Sequence, residues 1–241
     1  MDKQLLIYDQ VEALSKQKHA DLYVKSGNDY SFAKDINSIP LMAVEFRNAA
    51  NEYPIVFTGG NEIMPAVIVG TRNDENLYYS VDKGWDANYV PAFIRRYPFV
   101  FSSSDAGEHF TLCVDSSFSG CNTEGKGERL FDSEGEQTQY LKNVLAFMKE
   151  YQAHFKRSQM FCQKLKELDL LEEVGAQFQE NGKQRSLTGF LAVNREKLKA
   201  LSAEQLKELM QNDSIELLYL HLHSLNNLNA LVQRSIKVEA A

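Results

Sequence analysis

Trp85, Tyr89, Arg95, Arg96 and Tyr97 bring the residue types best suited to recognition into one short stretch, which also holds the chain's only tryptophan. Flat aromatic rings supply contact area and guanidinium forks bind carboxylates or peptide carbonyls, so this set predicts a surface that binds a protein or peptide. The same residues could instead fill a core, with the arginines paired to local carboxylates such as Asp82 or Asp86. A second grouping has acid–base character. If the fold collects Glu45, His109 and Asp115 beside Arg95 and Arg96, they would line a pocket, and the chain would be an enzyme or a modification-complex subunit acting on a peptide or small molecule.

Other constellations carry less chemistry. His221 and His223 stand two apart, which on a helix turns them to different sides, whereas a shared metal needs neighbours three or four apart. His109 and Cys113 have no acidic partner fixed by spacing. No Gly-x-Ser-x-Gly elbow is present, and Ser116–Cys121 has ordinary loop composition. Gly120, Gly125 and Gly127 lack the strand, glycine loop and helix order of a phosphate site. No metal and no cofactor is therefore predicted. Cys113, Cys121 and Cys162 are odd in number and without metal spacing, which points to free thiols in a reducing compartment.

The elements that must position these residues are legible from periodicity. His19–Lys25 reads as a strand after a short helix or irregular lead-in. Residues 39–51 read as a short helix entered through Pro40. Tyr53–Thr58, Ala66–Gly70 and Leu77–Val81 predict a three-stranded antiparallel meander, with Pro54 at its edge or start. Pro91 opens a helical turn over residues 92–96 that must end before Pro98. Phe99–Phe101 should then pair with Phe110–Asp115, and residues 116–130 form a loop.

The second half turns helical. Ser133 and Glu136 have capping-box spacing ahead of a helix to about residue 156, with Ser158 as a point of interruption before a second piece, Met160–Leu171. A hairpin turning at Asn181-Gly182 should extend the first sheet. Asn194 caps a helix at Arg195–Leu201, Ser202 and Gln205 box the next one, and a buried helix spans Ile215–Val232. Strands before helices in this order predict an α+β fold: an antiparallel sheet formed mainly by the N-terminal half, packed against a helical C-terminal half.

At 241 residues the chain can bury a core without disulfides. It reads as one domain, 1–241, and any subdivision would fall in the loop near 116–135, between a β-rich part (1–130) and a mainly helical part (131–241). The formal charge is -7: residues 1–130 carry 12 Lys and Arg against 18 Asp and Glu, and residues 131–241 carry 14 against 15. Neither part offers the positive field that nucleic acid or anionic lipid requires. No run approaches the roughly 20 apolar residues that span a bilayer, and the amino terminus does not read as a secretory signal, so a cytoplasmic protein without stable membrane insertion is expected. Oligomeric state is not fixed by these features.

Pro54-Ile55-Val56-Phe57, followed by Trp85-Asp86-Ala87-Asn88-Tyr89-Val90-Pro91 and Arg95-Arg96-Tyr97-Pro98-Phe99, resembles the SapC family of bacterial proteins. A later block, Gly189-Phe190-Leu191-Ala192-Val193-Asn194 with Lys197-Leu198, then Leu220-His221-Leu222-His223-Ser224-Leu225, is similar to that family's carboxyl end. The resemblance implies an accessory protein connected with surface-layer or cell-envelope proteins. It brings no catalytic motif to carry over.

Overall fold

The computed structural model describes residues 6–25, 27, 29–60, 62–104, 109–180 and 183–239. The first stretch of chain holds β1 (Val11–Ala13), α1 (Lys16–His19), β2 (Tyr23–Val24), β3 (Ser38–Pro40), α2 (Phe46–Ala49), β4 (Ile55–Thr58), β5 (Pro65–Ile68), β6 (Tyr79–Ser80) and β7 (Gly84–Trp85). Then come α3 (Ala92–Arg95), β8 (Phe99–Ser104), β9 (His109–Asp115), β10 (Cys121–Asn122), β11 (Glu128–Arg129) and α4 (Gln139–Glu167). Strands β12 (Leu171–Glu180) and β13 (Lys183–Val193) precede α5 (Arg195–Lys199), α6 (Ala203–Gln211), α7 (Ser214–Ser224) and α8 (Asn227–Glu239). Antiparallel sheets mainly in the first half and helices mainly in the second give the expected α+β class.

The chain forms two compact units, one of Met1–Phe32 with Ile94–Ala153 and the other of Ala33–Phe93 with His154–Ala241. Each unit draws on chain from both sides of the loop near 116–135.

In the first unit β9 lies between β1 and β8, with Phe99 opposite Val114 and Val100 opposite Cys113. The pairing of Phe99–Phe101 with this strand is the one expected. Phe99, Leu112 and Val114 pack with Val24, Leu130, Phe131, Leu141 and Met148 in one apolar cluster. Leu141, Val144 and Met148 recur at helical spacing, so the opening turns of α4 turn one stripe inward. Residues 116–130 are more ordered than a loop, since β10 and β11 flank Val24 in a small sheet. Gly127 makes this possible: its φ is +96°, and a Cβ there would lie 2.5 Å from the Val24 carbonyl oxygen. Helix α4 starts later than the Ser133 box suggests. Asp132 instead accepts the amides of Glu134 and Glu136 at 2.9 and 2.8 Å in a turn closed by a Phe131–Gln137 bridge.

The second unit is built on a five-stranded sheet ordered β12-β13-β4-β5-β3. Ile55, Val56, Phe57, Val67 and Ile68 are all buried, as expected of central strands covered on both faces. The expected third strand of the meander is displaced. Leu77 donates one amide bond to Val69, but the Tyr78 amide is then taken by Asn76 Oδ1 at 2.9 Å, and Tyr79–Ser80 pairs with Gly84–Trp85 in a separate hairpin. β3 takes the vacant edge, where the missing N–H of Pro40 is harmless, and this delays the following helical segment to Ala43.

α4 does not break at Ser158. Its hydroxyl donates to the His154 carbonyl at 2.8 Å and accepts the Ala43 amide at 2.8 Å, so a polar residue within the helix is satisfied twice. The hairpin β12–β13 joins β4 only through Phe190 and Leu191, as an extension of the sheet. The Asn181-Gly182 turn lies outside the described residues. The Asn194 cap and the Ser202–Gln205 box form as expected. The long last helix is broken after Ser224 into α7 and α8 because its polar side chains are tied to the strand entry. Ser224 Oγ accepts the Ile55 amide at 2.9 Å, and Asn227 Nδ2 donates to the carbonyls of Ala50 and Tyr53 at 2.8 and 3.1 Å. His221, one turn earlier, bridges two strands: Nε2 accepts the Val193 amide at 3.0 Å while Nδ1 donates to the Ile55 carbonyl at 2.9 Å. His221 is buried and His223 exposed, so the pair faces different surroundings.

Candidate functional site

The stretch that promised recognition is shared between the units. Trp85 and Tyr89 belong to the second, where both serve the scaffold. The Trp85 indole N–H donates to the Tyr53 hydroxyl at 2.8 Å, and that hydroxyl donates to the Tyr89 carbonyl. Tyr89 in turn donates its hydroxyl to Glu45 Oε1 at 2.7 Å. The same oxygen accepts the Ala92 amide at 2.7 Å, and Oε2 accepts the Met42 amide at 2.8 Å, so Glu45 is a buried tie between segments distant in sequence. Glu52 holds the amides of Asn88 and Tyr89 at 2.7 and 3.0 Å. The neighbouring Asp86 pairs with Arg234 at 2.7 Å, and that guanidinium lies 4.3 Å from the Tyr78 ring centroid. Tyr89→Phe is expected to cost about 2 kcal/mol in urea unfolding, because a buried carboxylate loses a charge-assisted donor. An unchanged midpoint would mean that the Tyr89 hydroxyl adds nothing to the tie made by Glu45.

Arg95, Arg96, Tyr97, His109 and Asp115 belong to the first unit. The turn α3 sends the two arginines to different environments. Arg95 is exposed, with its guanidinium 5.5 Å from the Phe147 ring centroid. Arg96 is buried, 5.5 Å from the Tyr8 ring and 4.8 Å from the Tyr151 ring. A cis peptide bond joins Tyr97 to Pro98. Tyr97 lies in a group of half-exposed rings: Phe32 stacks on it with centroids 4.0 Å apart and planes 24° apart, and Phe118 meets it edge-on at 5.1 Å. Tyr30 packs against Phe32 at 6.3 Å, and Tyr8 lies 5.3 Å from Tyr97.

Asp115 organises this group from beneath. It is fully buried and accepts five bonds: the Asp9 and Gln10 amides at 2.8 and 3.1 Å, the Ser117 amide at 3.0 Å, the Ser117 hydroxyl at 2.6 Å and the Tyr97 hydroxyl at 3.4 Å. Burial alone would raise its pKa. The bonds from Ser117, Asp9 and Gln10 outweigh that and hold the carboxyl below its ordinary value. Burial pushes the Tyr97 phenol up, and the adjacent Asp115 charge pushes it further. A carboxylate so stabilised is a weak base, and a tyrosine so shifted stays protonated.

The acid–base grouping is not assembled within this unit. His109 is exposed at one end of β9 and Asp115 is buried at the other, roughly 20 Å away at the rise of an extended strand. Sequence reasoning brought Arg96, Tyr97 and Asp115 into view but passed over Tyr30, Phe32 and Phe118. A signal existed in each case: Phe118 is a lone ring in a run of serines, and Tyr30-Ser31-Phe32 alternates two rings beside a turn.

Among the described residues no helix is long and apolar enough to cross a membrane. The family model described as SapC matches residues 14–231, nearly the whole chain. No curated protein and no solved structure matches.

Proposed function

We propose, from the premise that this chain belongs to the SapC family, that it is a cytoplasmic accessory protein that binds a protein or peptide on the surface formed by Phe32, Tyr97 and Phe118. The partner would be a surface-layer or other cell-envelope protein, the class that the family name suggests. The observation that carries this reading is the half-exposed stack of rings fixed from below by Asp115. Rings held rigidly and left partly open lose little entropy on binding and offer large contact areas, the properties of interface anchors. The saturated carboxylates Asp115 and Glu45 favour this reading over proton transfer, since neither has an idle oxygen.

The test uses the full chain and its Phe118→Ser variant as baits in lysate from cells that make the protein, with thermal melts run beside them. A partner held by the wild type and lost from an equally stable variant is the expected result. A partner held equally by both would overturn the surface, and the absence of any stable partner would overturn the accessory role.

A further inference from the structure

Resting on that reading, we infer that the aromatic surface takes a cationic side chain, so that the partner presents a basic, arginine-bearing extended segment. Aromatic faces carry negative potential and attract guanidinium groups, most strongly when several rings converge. The inner side of the group already shows this affinity, with Arg96 lying between Tyr8 and Tyr151. On the outer side, Tyr30, Phe32, Tyr97 and Phe118 are each half-exposed.

A carboxylate accompanies the open rings. Asp29 directly precedes Tyr30, and its Oδ2 accepts the hydroxyl of Ser119, the residue after Phe118, at 3.3 Å. Its Oδ1 accepts the Ser31 amide at 2.9 Å, and the bonds from Ser31 hold its carboxyl below the ordinary value. Asp29 is exposed, which leaves its charge available to an incoming group.

The wider field has the same sign. Met1–Phe32 with Ile94–Ala153 carries 10 Lys and Arg against 14 Asp and Glu, a net -4. An acidic or phosphorylated segment would meet Asp29 and this field with repulsion. A neutral apolar segment would gain from the rings alone and ignore the carboxylate. Only a basic segment uses both features, and guanidinium suits them better than ammonium because it stacks flat while its edge donates to an oxygen.

The experiment titrates the full chain by NMR with three blocked pentapeptides of sequence Gly-X-Gly-X-Gly, where X is arginine, citrulline or glutamate. Citrulline keeps the shape of arginine and removes its charge. The arginine peptide should shift the signals of Tyr30, Phe32 and Phe118 saturably and bind at least about fivefold more tightly than the citrulline peptide, with the glutamate peptide weakest. Asp29→Asn retains an acceptor for Ser31, and Phe118→Leu retains an apolar side chain. Both should abolish the preference for arginine over citrulline without lowering the melting temperature, a readout that a structural role would not move. Equal binding of arginine and citrulline peptides, preference for glutamate, or no saturable shift with arginine would each overturn the inference. If that happens while the Phe118→Ser bait still loses a partner, the binding surface stands and only its cationic preference falls.

Discussion

Lowering the pH from 7.5 to 4 is expected to remove about 3 kcal/mol of stability through His221 alone. Burial drives the imidazole pKa from 6.5 down to about 4, with the bond to the Ile55 carbonyl opposing the shift only in part. The unfolded chain takes up this proton first. Stability from His221 is therefore complete above pH 6.5, falls as the pH drops toward 4, and levels off below that. The geometry explains the preference for the neutral ring, because Nε2 must stay unprotonated to accept the Val193 amide while Nδ1 donates. His221→Gln removes the titration while keeping a donor and an acceptor. Urea unfolding at half-unit steps from pH 4.5 to 8 should give a curve for this variant that is lower at neutral pH but flatter than wild type between 6.5 and 4.5. Parallel curves would mean that the ring ionises freely in the folded state.

Asp115→Ala is expected to destabilise by about 4 kcal/mol, the other large effect in the chain. The substitution leaves the amides of Asp9, Gln10 and Ser117 without their acceptor next to a buried cavity. Asp115→Asn should cost less, since a side-chain oxygen remains on one side. The linked pH effect has its own window: a depressed carboxyl adds stability above its unfolded value and loses it as the pH falls below about 4, later in an acid titration than His221. Denaturant unfolding of wild type and both variants at pH 7 measures the cost. A loss below about 1 kcal/mol for the alanine variant would mean that water replaces the carboxylate, and the ring surface would lose its fixed base.

Local pattern reached the strands and caps, and failed where one side chain overruled it. Ile55-Val56-Phe57 and the Ser202–Gln205 box were plain from an unbroken apolar run and from capping spacing, because the forces that form them act between near neighbours. The position of Tyr79–Ser80 was not, since it turns on the Asn76 side chain capturing the Tyr78 amide. Likewise the break after Ser224 depends on Ser224 reaching the Ile55 amide and Asn227 reaching the Ala50 and Tyr53 carbonyls just before that strand, far away in sequence, which helical periodicity cannot register. Within the candidate site, Tyr97 and Arg96 stood out by type and density. Their partners Tyr8, Phe32 and Phe118 come from three separate segments that are far apart in sequence and become neighbours only in the folded chain.

Each unit is sewn from two stretches of chain with the other unit's residues threaded through the sequence between them. On a ribosome, Val11–Ala13 must wait for about a hundred further residues before its mate, Cys113–Asp115, exists. The β3–β5 strands likewise lack the flank supplied by β13 until more than a hundred further residues have been made. Closure over such distances delays each unit, the first until Ala153 and the second until the chain beyond it has been made, leaving the growing chain dependent on whatever shields its apolar strands in the meantime.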